Sequence, residues 1–168
     1  MSRKVYAEAP SMAVAIFAVD PGASGAFAFR SPDGEIGAVP FTTPADFIDT
    51  VWEFKARADL FDATVKGVVE KVGGFIGAAQ PASSSFRFGE NFGFVQGVLR
   101  TYGIGFTLVA PAKWEKAYPC RTLARENKAQ HKRELRDHAA RLFPSLRPTL
   151  KTADALLLLD YARRIFLV

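Results

Sequence analysis

An apolar run, Ala13 to Val19, ends abruptly in Asp20-Pro21-Gly22, and a second strand-like run begins at Gly25. Short apolar runs bounded by turn residues read as buried strands. This spacing leaves a carboxylate at the end of a buried strand, where it is poorly solvated unless it holds a cation or a strong hydrogen-bond donor. An Asp before Pro-Gly is equally an ordinary turn cap. On this stretch alone both readings stand, and the rest of the chain has to decide between them.

The elements that follow fix the fold class. Strands are expected over Val14–Asp20, Gly25–Arg30 and Glu35–Val39, the last two joined by the tight-turn signature Ser31-Pro-Asp-Gly34. Three strands in succession form an antiparallel meander, and no GxGxxG follows the first, which argues against a dinucleotide-binding start. Thr43 caps a helix with Pro44 at its first position, running to about Leu60 with an apolar face of Phe47, Ile48, Val51, Trp52, Phe54 and Ala58. Val65 to Val69 is a buried strand ending in Glu70. A Gly-rich linker, Lys71 to Ala82, leads to a helix capped by Ser83 or Ser84 and running to about Tyr102. Phe106 to Val109 is a fifth strand. A short helix over Pro111–Ala117, a basic loop over Pro119–Asn127 and a helix over Lys128–Phe143 precede a final helix capped by Thr152 and ending near Phe166. The pattern predicts an α/β protein with a mixed five-stranded sheet, its first three strands antiparallel and the later ones parallel to the first, flanked by helices.

The 168 residues, 49% of them apolar, suit one domain over residues 13–168 preceded by a polar, flexible arm over residues 1–12. No apolar run reaches the roughly 18 residues that span a bilayer, and the arm lacks the apolar core of a secretory signal. The single cysteine, Cys120, cannot form an internal disulfide, which points to a reducing, cytoplasmic setting. Residues 1–99 carry 8 basic and 11 acidic side chains, whereas residues 100–168 carry 14 basic and 6 acidic. A C-terminal half so biased points to a polyanion, with nucleic acid the favoured partner over a merely solvated basic helix.

Glu70 repeats the logic of Asp20: it is the first charge after an apolar run. Parallel neighbouring strands would bring the two acids to one sheet edge, where α/β sheets bind ligands. Two close carboxylates repel unless one is protonated or a divalent cation bridges them. A third acid, Asp154, opens a final helix that is apolar nearly all round (Ala155-Leu156-Leu157-Leu158-Leu159), so the helix is buried and can aim Asp154 over the sheet edge. A first-turn Asp is also favoured by the helix dipole alone. Asp160 lies about 240° round the same helix and is assigned to a salt bridge with Arg163 or Arg164.

The segments Ile16-Phe-Ala-Val-Asp-Pro-Gly-Ala-Ser-Gly-Ala26, Val68-Val-Glu70, Ser84-Ser-Phe-Arg-Phe-Gly-Glu-Asn-Phe-Gly-Phe-Val-Gln-Gly97 and Ala153-Asp-Ala-Leu-Leu157, in this order and spacing, together resemble RuvC-type Holliday junction resolvases. The similarity is greatest to the phage-like branch of that ribonuclease H-like superfamily. The resemblance implies a ribonuclease H-like fold and a homodimer without an organic cofactor. It also implies Mg²⁺, with Mn²⁺ as substitute, held by carboxylates, and resolution of four-way DNA junctions by paired nicking at the nucleoid of a bacterial or phage-infected cell. Asp20, Glu70 and Asp154 match the family's metal ligands. Lys151 departs from the pattern, since the family often has a further Asp or a His three residues before the last ligand. A protonated lysine is no ligand, so Lys151 is expected to hold a phosphate oxygen or partly neutralise the acids.

In phosphodiester hydrolysis a cation near the scissile phosphate stabilises developing charge. Lys132 is the first choice for that role, with Lys128 and His131 on the same basic helix as DNA contacts, although each is equally an ordinary surface ion-pair residue. Ser84, Ser85, Arg87 and Asn91, near the start of the middle helix, suit phosphate contacts. Phe88, Phe92, Val95 and Leu99 on that helix form either core or a dimer face. Phe75 is a candidate wedge between bases or an ordinary core residue. In Pro111-Ala-Lys-Trp114-Glu-Lys116, which resembles the family's Pro-x-x-Trp segment, Trp114 is expected in the core with Lys113 and Lys116 toward DNA. Two alternatives remain at this stage: a related nuclease acting on other branched DNA or on RNA, and a junction-binding protein with an impaired site.

Overall fold

Period-two alternation along the first strand divides the molecule into its two cores. In the computed structural model, which describes residues 13–22, 25–73 and 82–167, β1 spans Val14–Asp20. Its odd-numbered residues, Ala15, Phe17 and Val19, enter one apolar core, and its even-numbered Ile16 and Ala18 enter the other. The expected N-terminal arm, and Phe75 within the linker, lie outside the described residues.

β1 pairs antiparallel with β2 (Ala26–Arg30), which pairs antiparallel with β3 (Ile36–Pro40). On its other side β1 pairs parallel with β4 (Thr64–Glu70), which pairs parallel with the short β5 (Thr107–Val109). The sheet order is β3-β2-β1-β4-β5, the mixed five-stranded sheet expected from the sequence. α1 (Pro44–Leu60) and α2 (Ala82–Thr101) cover the Phe17 face. α3 (Pro111–Trp114), α4 (Lys128–Leu142) and α5 (Ala153–Phe166) cover the Ile16 face. The apolar run at the head of α5 is fully explained by this placement: Ala153 to Leu159 are all buried, and α5 lies across β1, β2 and β4. Among the described residues no helix is long and apolar enough to cross a membrane.

Close packing fixes the register that matters for the site. A Cβ at Gly67 of β4 would lie 2.0 Å from the Phe17 ring, so the ring occupies the space only a glycine leaves. A Cβ at Gly25 would lie 2.1 Å from the Asp20 carbonyl oxygen, so glycine is required where β2 leaves the turn after Asp20.

Several expectations need correction. Ile48 and Trp52 do not belong to the buried face of α1; they are 36% and 58% exposed, because the face is satisfied by Phe47, Val51, Phe54 and Ala58. Neither Ser83 nor Ser84 caps α2, since the helix already begins at Ala82 and both serines lie in its first turn. Thr152 stands at the start of α5, but its hydroxyl accepts the Thr149 N–H (3.0 Å) and does not cap the helix. Val95 and Leu99 of α2 are core residues, Phe92 packs against that core, and Phe88 is half-buried. Asp160 is bound by Arg164 at 2.6 Å, as assigned, and also accepts from the Tyr118 hydroxyl at 2.7 Å.

Candidate active site

The register of β1 against β4 builds the first part of the site. Val19 faces Val69 across the parallel ladder, so Asp20 and Glu70 are the next residues on adjacent strands. Both fall on the even-numbered side, beneath α5 and α4. Asp154, in the first turn of α5 and 6% exposed, is brought to the same edge. The three acids line one cleft of 870 Å³, together with Gly22, Phe88, Pro111, Glu115, Lys128, His131, Lys132, Arg133, Leu150 and Lys151.

Each acid is held differently. Asp20 Oδ1 accepts the Gly22 N–H at 2.9 Å, the turn-cap contact that the Asp-Pro-Gly sequence allows. Turn cap and site residue are therefore one and the same position. Glu70 Oε1 accepts the Trp114 indole N–H at 3.3 Å. Asp154 Oδ2 is ion-paired with Lys132, while Oδ1 is buried and has no hydrogen-bond partner among the described residues.

Burial and neighbouring negative charge destabilise the anions of Glu70 and Asp20. Burial, and then the charges of Asp20 and Asp154, push Glu70 up to about 8, against the Trp114 bond and the Lys132 charge. Burial, and then the charge of Asp154, raises Asp20 above the ordinary carboxylate range, with the Gly22 N–H and Lys132 opposing. Lys132 feels the converse: burial lowers it, but Asp154, Asp20 and Glu70 more than compensate and raise it above the usual lysine value. Glu115 is raised by burial; His131 opposes the rise and Asp154 adds to it.

Among the described residues, no three His, Cys, Asp or Glu side chains are drawn together tightly enough to form a ready metal centre. The chemistry of the donors nonetheless fits one. All three acids present hard oxygen donors, their anions repel, and a buried Asp154 oxygen lacks any partner. A hard divalent cation would supply what that set lacks, and Asp20, Glu70 and Asp154 are the residues that could hold it.

The basic residues sort themselves by position. Lys128, His131, Lys132 and Lys151 line the cleft, with Lys151 exposed at its wall. Ser84, Ser85 and Arg87 do not line it; they stand on the first turns of α2, with Ser85 and Arg87 exposed. Asn91 lines a smaller neighbouring pocket with Gly22, Phe41 and Thr42. Lys113 and Lys116 are exposed and lie outside the cleft lining, while Trp114 between them is buried as expected. Sequence reasoning missed Glu115 and Arg133 as lining residues, and missed the bond from Trp114 to Glu70. The one available signal was that a buried indole N–H needs an acceptor.

The five-stranded sheet, antiparallel in its first three strands and parallel thereafter, with helices on both faces, is the mixed α/β arrangement expected from the sequence. No protein-family model matches the chain, and no curated protein matches it. Three solved structures are similar to the chain. Thermus thermophilus RuvC in complex with Holliday junction substrate is 15% identical, with a TM-score of 0.49 over 91% of this chain and 96% of that one. Another structure of Thermus thermophilus RuvC is 19% identical, with a TM-score of 0.47 over 90% and 96%. The yeast mitochondrial Holliday junction resolvase Ydc2 is 12% identical, with a TM-score of 0.37 over 92% and 80%.

Proposed function

We propose that this chain is a divalent-cation-dependent endonuclease that resolves four-way DNA junctions by paired nicking. The observation that carries the reading is the meeting of Asp20, Glu70 and Asp154 in one cleft whose opposite wall is the basic helix α4. Acids alone would repel a phosphodiester. Here Lys128, Lys132, Arg133 and Lys151 line the same cleft and offset that repulsion, which suits a polyanionic substrate. The motif order from Ile16 to Leu157 supports the four-way junction as the substrate class. Two nicks placed symmetrically call for a two-fold dimer, with one site from each copy.

Asp20, Glu70 and Asp154 would hold the cation, Mg²⁺ or Mn²⁺. When bound, it lowers the pKa of water and takes up charge on the leaving oxygen. The remaining work falls to the chain itself. Lys132, which shares the cleft with the acids, stabilises negative charge on the scissile phosphate once Asp154 is otherwise neutralised. Lys128, Arg133 and Lys151 bind neighbouring phosphates and hold the strand across the cleft. The setting this implies is the nucleoid in the cytoplasm.

One observation favours a second reading. Lys132 already pairs with Asp154, and Lys151 places another cation in the same cleft, an arrangement that suits a junction-binding protein with an impaired site. A synthetic four-way junction incubated with the full chain in Mg²⁺ and in Mn²⁺ separates the two. Paired symmetric nicks support the first. Tight binding without nicking in either cation supports the second. Faster cutting of RNA–DNA hybrids than of junctions would replace the substrate class.

A further inference from the structure

The surroundings of His131 define a role beyond a contact with DNA. It stands in the first turn of α4 with its side chain 12% exposed. Its Nδ1 lies 2.8 Å from the Thr122 carbonyl oxygen. A carbonyl only accepts, so Nδ1 carries the proton, and in the neutral ring Nε2 is the nitrogen with an available lone pair. The surrounding loop holds this tautomer in place. Glu134, also on α4, accepts from the Arg121 N–H at 2.6 Å, the Thr122 N–H at 3.2 Å and the Thr122 hydroxyl at 2.9 Å. That clamp ties the loop to the helix and fixes the Thr122 carbonyl against the ring.

The other end of the ring is the informative one. Nε2 is buried and has no hydrogen-bond partner among the described residues. Glu115 Oε2 stands 3.9 Å from it, too far for a direct hydrogen bond and a spacing that one water bridges, donating to both. Glu115 and His131 both line the cleft that contains Asp20, Glu70 and Asp154. A nitrogen with a fixed tautomer and an unpartnered lone pair, on a residue that lines the cleft beside a second acceptor, is an arrangement a general base can use.

We infer that His131 is the proton acceptor of the hydrolysis, its Nε2 holding the attacking water together with Glu115 Oε2. The inference rests on the endonuclease reading. In the step, the water oxygen bonds to phosphorus and the proton passes to Nε2. The bond from phosphorus to the 3′ oxygen breaks, and its electron pair leaves on that oxygen, which takes a proton from solvent. The imidazolium so formed donates from Nδ1 to Thr122 and turns its new Nε2–H toward Glu115. His131 later returns the proton to solvent.

The test is single-turnover nicking of a synthetic four-way junction in Mg²⁺ by the full chain and by His131→Gly, with and without added imidazole. Loss of the base is expected to slow nicking by about 10²–10⁴-fold, and free imidazole is expected to restore rate in proportion to its concentration. His131→Asn, whose amide can still donate to the Thr122 carbonyl, guards against a folding defect and is expected to melt like wild type and nick as slowly as the glycine variant. Nicking by either folded variant within about threefold of wild type, or a glycine variant that imidazole does not rescue, overturns the assignment. Nitrogen-15 NMR of the uncomplexed protein gives a readout independent of activity: an Nδ1–H tautomer is expected, and an Nε2–H tautomer overturns it. A wild-type chain that nicks in neither Mg²⁺ nor Mn²⁺ brings down the endonuclease reading itself, a failure distinct from a wild type that nicks and variants that nick equally well.

Discussion

Lys132 of α4 is ion-paired to Asp154 Oδ2 at the head of α5, while Asp154 Oδ1 is buried without a partner. The ammonium satisfies one oxygen and leaves the other for something else to satisfy. Lys132→Met keeps most of the side-chain volume and removes the charge, so it leaves a buried anion next to two further acids. Because Lys132 is 36% exposed, the cost falls short of that of a fully buried pair, at about 2 kcal/mol. Thermal unfolding in EDTA should show the loss, and millimolar Mn²⁺ should recover most of it by replacing the missing charge. A variant that melts with wild type in EDTA would show that Lys132 does not neutralise the cluster.

Trp114 positions Glu70. Its ring packs in the core while its N–H reaches Glu70 Oε1 at 3.3 Å. Trp114→Phe keeps the aromatic core and removes the donor, at a cost of about 1 kcal/mol in stability. The larger effect is expected on cation binding, a weakening of about 10–100-fold of the kind seen when the group orienting a ligand is lost. Calorimetric titration with Mn²⁺ measures it, and an unchanged affinity would reduce Trp114 to a packing residue.

The strands and the acid positions were legible because they depend on short-range pattern. Asp20 and Glu70 each end an apolar run, and period-two alternation assigns both to one face once the two strands pair in parallel. The head of α5 was legible for a similar reason: an unbroken apolar run has to be buried, and Asp154 goes with it. What the sequence did not disclose depends on how separate elements meet. The indole of Trp114 finds its acceptor 44 residues away, and no local pattern encodes that distance. Which cations of the basic half enter the cleft depends on the angle at which α4 crosses α5; Lys128, Lys132 and Arg133 do, whereas Lys113 and Lys116 on the preceding turns stay outside. Ile48 and Trp52 fit the helical period of α1, yet the core was already filled by Phe47, Val51 and Phe54.

Glu70 makes the cation-free protein sensitive to alkali. Its ordinary value is 4.5, and in the folded chain burial and its acidic neighbours push it up to about 8. The folded state therefore holds this proton more tightly than the unfolded state does. The stability it contributes is full below pH 4.5 and is lost as pH rises through about 8. Asp20 is shifted in the same direction and adds to the trend. In EDTA the melting temperature should fall between pH 5 and pH 8.5, and Glu70→Gln should flatten that decline. Mg²⁺ should have the opposite pH preference, stabilising more as the proton leaves. A melting temperature in EDTA that is level or rises across this range would contradict the assignment.

Asp20→Asn is the sharpest test of the site as a whole. The amide is nearly isosteric with the carboxylate, and its oxygen can still accept the Gly22 N–H that closes the turn, so the fold should survive. One negative charge is removed from the cleft, which relieves repulsion on Glu70 and Asp154 and should leave the protein as stable as wild type or slightly more so without cation. On the proposed reading, in which the basic wall of the cleft binds the junction, affinity should hold or rise slightly, since a phosphate meets less negative charge. Nicking should disappear if the proposed cation is held at this site, because an uncharged amide is a poor ligand for a hard divalent cation. Gel-shift affinity and single-turnover cleavage, measured on the same preparations, separate these expectations. An Asp20→Asn chain that binds and still nicks would remove Asp20 from the reaction and return it to the role of a turn cap.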